Sequence, residues 1–144
     1  MITYRPITTV DPEYALEKEL RSRVLRAPLG ISLSEQDLQG EDGQLHLLAM
    51  DGTEQVVGCV LVAFSGNGAK IRQIAIDEKH RGQGIGTELI GHAEEAIRAR
   101  SISSVRLHAR VTARAFFEKL GYAAVSEVFT EVTIPHIAME KRYG

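Results

Sequence analysis

Between residues 81 and 87 the chain reads Arg81-Gly82-Gln83-Gly84-Ile85-Gly86-Thr87. An apolar run, Ile71-Arg72-Gln73-Ile74-Ala75-Ile76, and a polar turn, Asp77-Glu78-Lys79-His80, precede it; a long amphipathic helix pattern starting near Gly84 follows. Strand, glycine-rich turn and helix start, in that order, make an anion site. The first turn of a helix carries backbone N–H groups without intrahelical partners, together with the positive end of the helix dipole. Glycines at alternate positions remove the Cβ atoms that would hold a phosphate away from those groups, and they tolerate the dihedrals of a nest. Arg81 adds a full cation at the start of the loop. The expected guest is a phosphate or pyrophosphate.

Missing residues narrow the ligand. A P-loop requires Gly-Lys followed by Ser or Thr, and no lysine follows these glycines. A dinucleotide fingerprint requires glycine at 87, where Thr87 stands, and an acid about twenty residues further on. The corresponding stretch, Ile102-Ser103-Ser104-Val105-Arg106, has none. What remains is R-x-x-G-x-G between a strand and a helix. It resembles the pyrophosphate loop of the GNAT superfamily, the acetyl-CoA-dependent N-acetyltransferases. A second segment, Ala113-Arg114-Ala115-Phe116-Phe117-Glu118-Lys119-Leu120-Gly121-Tyr122, is similar to the A-x-x-x-[FY]-[YF]-E-K-x-G-[FY] stretch of the same family. A third, Glu131 to Glu140 with Ile134-Pro135-His136 at its centre, resembles a small ElaA-like subgroup, in which glycine usually occupies the place of Thr133.

The resemblance implies a mixed α/β sheet whose two central strands splay apart, with acetyl-CoA as co-substrate and its pantetheine arm in the gap. Backbone groups of Ile74, Ala75 and Ile76 would pair with that arm. Arg81, Gly82, Gln83, Gly84, Ile85, Gly86 and Thr87 would hold the pyrophosphate, and Phe117 would lie at the sulfur end. Two departures stand out. Many members carry a tyrosine at Phe117 that can protonate the leaving thiolate, and an asparagine that contacts the cofactor is often found near where Arg110 stands. A free thiol has a pKa near 8.5, so the thiolate can take its proton from water instead.

Acetyl transfer also requires a neutral amine. A lysine-type amine is only about 0.04% neutral at pH 7, whereas an α-amine is about 10% neutral, so a base helps the first kind most. The candidate bases are His136, Glu131 and His108. His136 follows Pro135 at the start of a strand, and an imidazole of ordinary pKa near 6.5 suits a base at neutral pH. A structural histidine bonded across the sheet is the equally weighted alternative, and for Glu131 and His108 solvated or structural roles are favoured. His80 and His92 read as solvent contacts. Arg21, Arg23 and Arg26 read as a solvated helix face able to meet an anionic substrate group. Cys59, in the apolar Val57–Val62 run, reads as core, and no spacing points to a metal. Two function classes follow: an N-acetyltransferase acting on a small-molecule or peptide amine, or an acyl-CoA-binding module or sensor with little or no transferase activity.

These residues need elements to hold them. The pattern predicts strands over 2–7, 45–50, 56–64, 71–76, 104–109, 123–129 and 136–142. It predicts helices over 12–26, from 84 onward, and over 112–120. Asp11 reads as an N-cap with Pro12 at the first helical position, and Tyr14, Leu16, Leu20, Val24 and Leu25 form the apolar face of that helix. Residues 34–43 read as a polar loop or single turn. The whole, 1–144, reads as one domain. It is 44% hydrophobic and 25% charged with a net charge of −2, which offers nothing to nucleic acid or an anionic membrane. One cysteine, no signal-peptide pattern and no transmembrane-length apolar run lead to a cytoplasmic expectation, with a homodimer compatible with the sequence.

Overall fold

Three consecutive runs rich in Val, Leu, Ile and Ala form the centre of a sheet, because β-branched and aliphatic residues fill a surface buried on both sides. The computed structural model describes residues 1–144. Its strands are β1 (Thr3–Ile7), β2 (Leu45–Met50), β3 (Val56–Ser65), β4 (Gly68–Ile76), β5 (Ser104–Arg110), β6 (Ala123–Ala124), β7 (Phe129–Glu131) and β8 (Ile134–Arg142). Its helices are α1 (Glu13–Arg21), α2 (Glu35–Leu38), α3 (Ile85–Ala99) and α4 (Arg114–Lys119). The strands form one sheet in the order β1-β2-β3-β4-β5-β8-β6, with β7 paired to β8. Only the β4–β5 pair is parallel.

Each face of the sheet has its own core. Ile85, Leu89, Ile90, Ala93 and Ile97 of α3 pack on one face against residues that include Val60, Val62, Ile71, Val105, Leu107 and Met139. On the other face Leu20 and Val24 pack against Leu48, Cys59, Leu61 and Ala75. Beneath α3, Glu94 is buried and accepts from Tyr122 Oη and Lys141 Nζ, both at 2.8 Å, which ties the turn after α4 to the long helix.

The pairing of β4 with β5 stops after Lys70–Arg106 and Ile71–Leu107. A bulge in β4 accounts for the divergence. Leu61 faces Arg72 and Cys59 faces Ala75, so Gln73 and Ile74 together oppose Val60. Gln73 sits at φ 55°, a left-handed conformation that costs a non-glycine residue roughly 1–2 kcal/mol. The extra residue reverses the alternation. Ile71 and Ile74 both serve the α3 core, while Arg72 and Gln73 both point toward α1.

A buried charge network meets them there. Arg21, Glu17, His46 and Glu41 are each essentially inaccessible to solvent. Arg21 donates to Glu17 at 3.0 Å, to both oxygens of Glu41, and through Nε to Gln73 Oε1 at 3.0 Å. Arg72 also reaches Glu41 at 2.8 Å, and Tyr14 donates to it at 2.8 Å. Both nitrogens of His46 face acceptors, Glu17 Oε1 at 2.8 Å and the Glu41 carbonyl at 2.7 Å, an arrangement in which a protonated ring donates to both. Burial disfavours that charge, but the Glu17 and Glu41 bonds outweigh it and raise the His46 pKa. Glu41 is likewise held low by Arg21 and Arg72 against its own burial.

Several sequence expectations change. The first helix is α-helical only to Arg21; Ser22–Arg26 form a π-helical turn and Ala27–Leu29 a 3-10 turn that stops at Gly30, φ 74°. Asp11 does not cap α1 with its side chain, which instead accepts from Thr8. Leu16 lies outside the apolar face and is about half exposed. Arg21 is core, not solvated surface. The 34–43 stretch contains α2, closed by a Ser34–Asp37 capping box, and the buried Glu41. The expected 123–129 strand breaks into β6 and β7, because Ser126 Oγ takes the Ala138 N–H that a regular ladder would pair with backbone. Strand β8 begins two residues early, at Ile134. The hairpin before it turns through Val132 (φ 44°) and Thr133 (φ 70°), a left-handed pair of residues that glycine would adopt without strain.

Removing one member of a buried pair leaves an uncompensated charge. Arg21→Met is expected to cost about 3–5 kcal/mol, read from urea unfolding. The His46 contribution has a defined sign. Its folded pKa is raised, so its stabilisation is complete below about pH 6.5 and is lost as pH rises through the folded value. Unfolding midpoints across that range should fall in the parent protein and fall less in His46→Gln.

Candidate active site

The glycine loop lies in the order the sequence predicts. β4 ends at Ile76, a 3-10 turn spans Glu78–His80, and α3 starts at Ile85 with Gly84 as N-cap. Gly82 and Gly84 hold φ 78° and 80°, and no atom lies within 4 Å of the place a Cβ would occupy at either. Glu88 N–H bonds the Gly84 carbonyl at 3.0 Å; the six N–H groups from Gly82 to Thr87 have no acceptor within the chain. Arg81, Gly82, Gln83, Gly84 and Thr87 are exposed, while Ile85 turns into the core. This is a row of unpartnered backbone donors at a helix start, with no Cβ at Gly82 or Gly84 to crowd it, and such a loop can hold a pyrophosphate.

Gly86 has a different task. A Cβ there would stand 3.3 Å from Phe116 Cζ, so its absence lets α4 close against the first turn of α3. Phe116 was not picked out from sequence. The sequence signal for it is indirect: the third glycine of the loop, Gly86, whose φ the structure shows to be ordinary. Phe117 is buried in the α3 core, with its ring 5.0 Å from Phe116 and 5.9 Å from Tyr122.

Beyond Ile71, β4 has β3 on one side only. Ile74 and Ile76 are half-buried, Ala75 is buried, and their β5-facing edge borders the gap. Cys59 lies under the bulge with Sγ 3.4 Å from the Gln73 carbonyl, and burial pushes its thiol pKa far up, so it is no nucleophile.

Across the gap a second set of polar groups lies on the α1 face. Leu107 and Ala109 of β5 belong to the α3 core, which turns His108 and Arg110 the other way. Arg110 pairs in register with His136 of β8. Glu131 reaches His108 Nδ1 at 2.8 Å and stands 3.8 Å from His136 Nε2. The His136 ring stacks on Phe129, and its Nδ1 lies 3.0 Å from the Ile134 carbonyl. A carbonyl only accepts, so Nδ1 carries the proton and the lone pair of a neutral ring is on Nε2, toward Glu131. His136 and Glu131 are thus adjacent, and His108 joins them through Glu131.

The remaining candidates are engaged elsewhere. His80 bonds Asp77 at 2.9 Å, and Arg23 bonds the other oxygen of Asp77 at 2.7 Å. His92 rests on the Tyr4 ring at 5.0 Å. Arg26 is buried on Asp37, whose pKa falls to about 2 because the Arg26 and Ser34 bonds outweigh its burial. Glu17, Glu41 and His46 converge closely enough to suggest a metal. Arg21 bridges the two carboxylates, and both His46 nitrogens are committed, so the cluster is an ion-pair network without a free ligand face.

Comparison with known proteins agrees with this architecture. Residues 20–143 match the Acetyltransferase (GNAT) domain family. The uncharacterized N-acetyltransferase YjcF of Bacillus subtilis (strain 168) is 30% identical over 102 residues, covering 70% of this chain and 72% of its own length. The crystal structure of Escherichia coli ElaA superposes with a TM-score of 0.84 at 24% identity, covering 99% of this chain and all of ElaA. PaiA N-acetyltransferase from Thermoplasma acidophilum, solved in complex with coenzyme A, superposes with a TM-score of 0.79 at 18% identity over 99% of each chain. No helix is long and apolar enough to cross a membrane.

The loop geometry makes a testable contrast. Gly84→Val places a branched side chain in the open cradle and strains φ 80°, and should weaken coenzyme A binding at least tenfold by calorimetry. Gln83→Ala, which leaves the backbone donors in place, should stay within about threefold of the parent. Equal binding by Gly84→Val and the parent would remove the loop from the site.

Proposed function

Because the chain belongs to the acetyltransferase (GNAT) family, we propose that it carries an acetyl group from acetyl-CoA to the amine of a small molecule or peptide. Acyl transfer from an acyl-CoA is the family's chemistry; the choice of acceptor and the residue roles are this proposal. The observation that carries it is the splay itself. β4 and β5 part after Ile71–Leu107, and the unpaired N–H groups of Gly82 to Thr87 lie beside the gap that opens.

Acetyl-CoA supplies an activated acyl carbon: the amine nitrogen bonds to it, the C–S bond breaks, and coenzyme A leaves as its thiolate. The chain's residues do the rest. Gly82 to Thr87 hold the pyrophosphate, with Arg81 adding charge at the loop's start. The free edge of Ile74, Ala75 and Ile76 aligns the pantetheine arm and offers an N–H to the thioester oxygen. Phe117, an apolar ring with no proton to give, packs the sulfur end and leaves thiolate protonation to solvent. His136 accepts the amine proton on Nε2 while its Nδ1–H stays on the Ile134 carbonyl. Glu131, 3.8 Å away, stabilises the imidazolium that forms.

Steady-state release of free thiol against a panel of amines tests the proposal. Turnover on at least one amine is expected. Coenzyme A binding without turnover on any would instead favour the binding module that Phe117 leaves open. On an accepted amine, His136→Ala should lower kcat by about 10²-fold with coenzyme A affinity intact, and should alter the acidic limb of the pH–rate profile. A folded His136→Ala enzyme with an unchanged profile would make His136 structural.

A further inference from the structure

Arg110 is the one arginine on the α1 face of the gap without a carboxylate. Arg21 has Glu17 and Glu41, Arg23 has Glu19 and Asp77, and Arg26 has Asp37. Arg110 is half-buried, and its single hydrogen bond runs from Nη2 to the Leu25 carbonyl at 2.9 Å. A guanidinium has five N–H donors, so that bond leaves a complete two-donor edge free. Burial lowers the Arg110 pKa, and the nearby positive charge of Arg26 lowers it further. The fold therefore maintains an unneutralised cation at a cost, at the end of β5, three residues beyond the last β4–β5 pair.

Its position excludes the pyrophosphate end. The glycine loop opens onto the first turn of α3, which packs on the Leu107–Ala109 face of β5, whereas Arg110 projects with His108 and His136 from the opposite face. Residues directly opposite in an antiparallel pair have Cβ atoms about 4.5–5.5 Å apart, so Arg110 and His136 are immediate neighbours.

Building on the acetyltransferase reading, we propose that the acceptor is a compact amine carrying an anionic oxygen group, which the free edge of Arg110 binds while the amine nitrogen lies toward His136. A planar, two-donor edge matches a carboxylate or a phosphate and does not match a neutral amide. Arg26, already held by Asp37, does not compete for the anion.

The test compares thiol release for matched acceptors: β-alanine with β-alaninamide, and 2-aminoethyl phosphate with ethanolamine. The parent enzyme should prefer the anionic member of at least one pair by about tenfold or more in kcat/KM, as one charge-assisted bidentate contact provides. The pair that shows the preference identifies the anion. Arg110→Gln should reduce that ratio to about threefold or less, with Arg110→Lys between, while coenzyme A affinity is retained. Turnover of neutral members at equal efficiency overturns the anionic acceptor and leaves acetyl transfer standing. Weakened coenzyme A binding by Arg110→Gln with the ratio intact assigns the residue to the cofactor, and lost thermal stability with the ratio intact makes it structural; either overturns the proposal. If no amine turns over, calorimetric binding of the same four compounds to the coenzyme A complex reads Arg110 without catalysis, and absence of an anion preference there counts against it.

Discussion

One extra residue in β4 is the constraint on which the rest of this molecule depends. A regular strand would present Arg72 and Gln73 to opposite faces and keep β4 hydrogen-bonded to β5 along its length. With Gln73 in a left-handed conformation, both side chains turn toward α1 and the strand leaves its parallel neighbour after Ile71. A bulge bends the strand that carries it and ends pairing locally. The strain is held by Arg21, which grips Gln73 through Nε while its other nitrogens close on Glu17 and Glu41. Two buried carboxylates, two arginines and a histidine are costly to desolvate, and replacing such clusters by apolar residues is often neutral or stabilising in other proteins. Here their value is positional: they set the direction of β4 at the gap.

In the proposed function the gap divides the labour of the site between two faces. On the α3 face, the helix start, the loop glycines and the close packing of Phe116 on Gly86 produce a row of backbone donors whose strength does not depend on any side chain. On the α1 face the groups are all side chains, His136, Glu131, His108 and Arg110, set out by the alternation of β5 and β8. Cofactor recognition built from backbone tolerates changes in residue type, provided glycine stays where φ is positive. Acceptor recognition built from side chains changes with each substitution.

Much of this was legible in the sequence, for a common reason. The glycine loop is contiguous, its glycines report backbone geometry directly, and the amphipathic period of α3 follows at once. The α3-side core also reads off the alternation of β5 and the helical spacing of Ile85, Leu89, Ala93 and Ile97. Thr133, by contrast, holds a positive φ that its β-branched side chain disfavours, and nothing in the local sequence announces that conformation.

What the sequence by itself determined was therefore what neighbouring residues decide together: the strand–glycine loop–helix unit, the order of the main elements, and Cys59 as core. The tertiary structure alone decided the partners of charges far apart in the chain. Arg21 meets Glu41 and Gln73, Glu131 meets His108, and Arg110 meets only a carbonyl. Local pattern places a charged residue on a helix or strand, but whether that charge faces water, a carboxylate or an open gap is set by which distant elements pack against it. A single-residue bulge can reverse that answer, since a strand repeats every two residues and one insertion exchanges its faces.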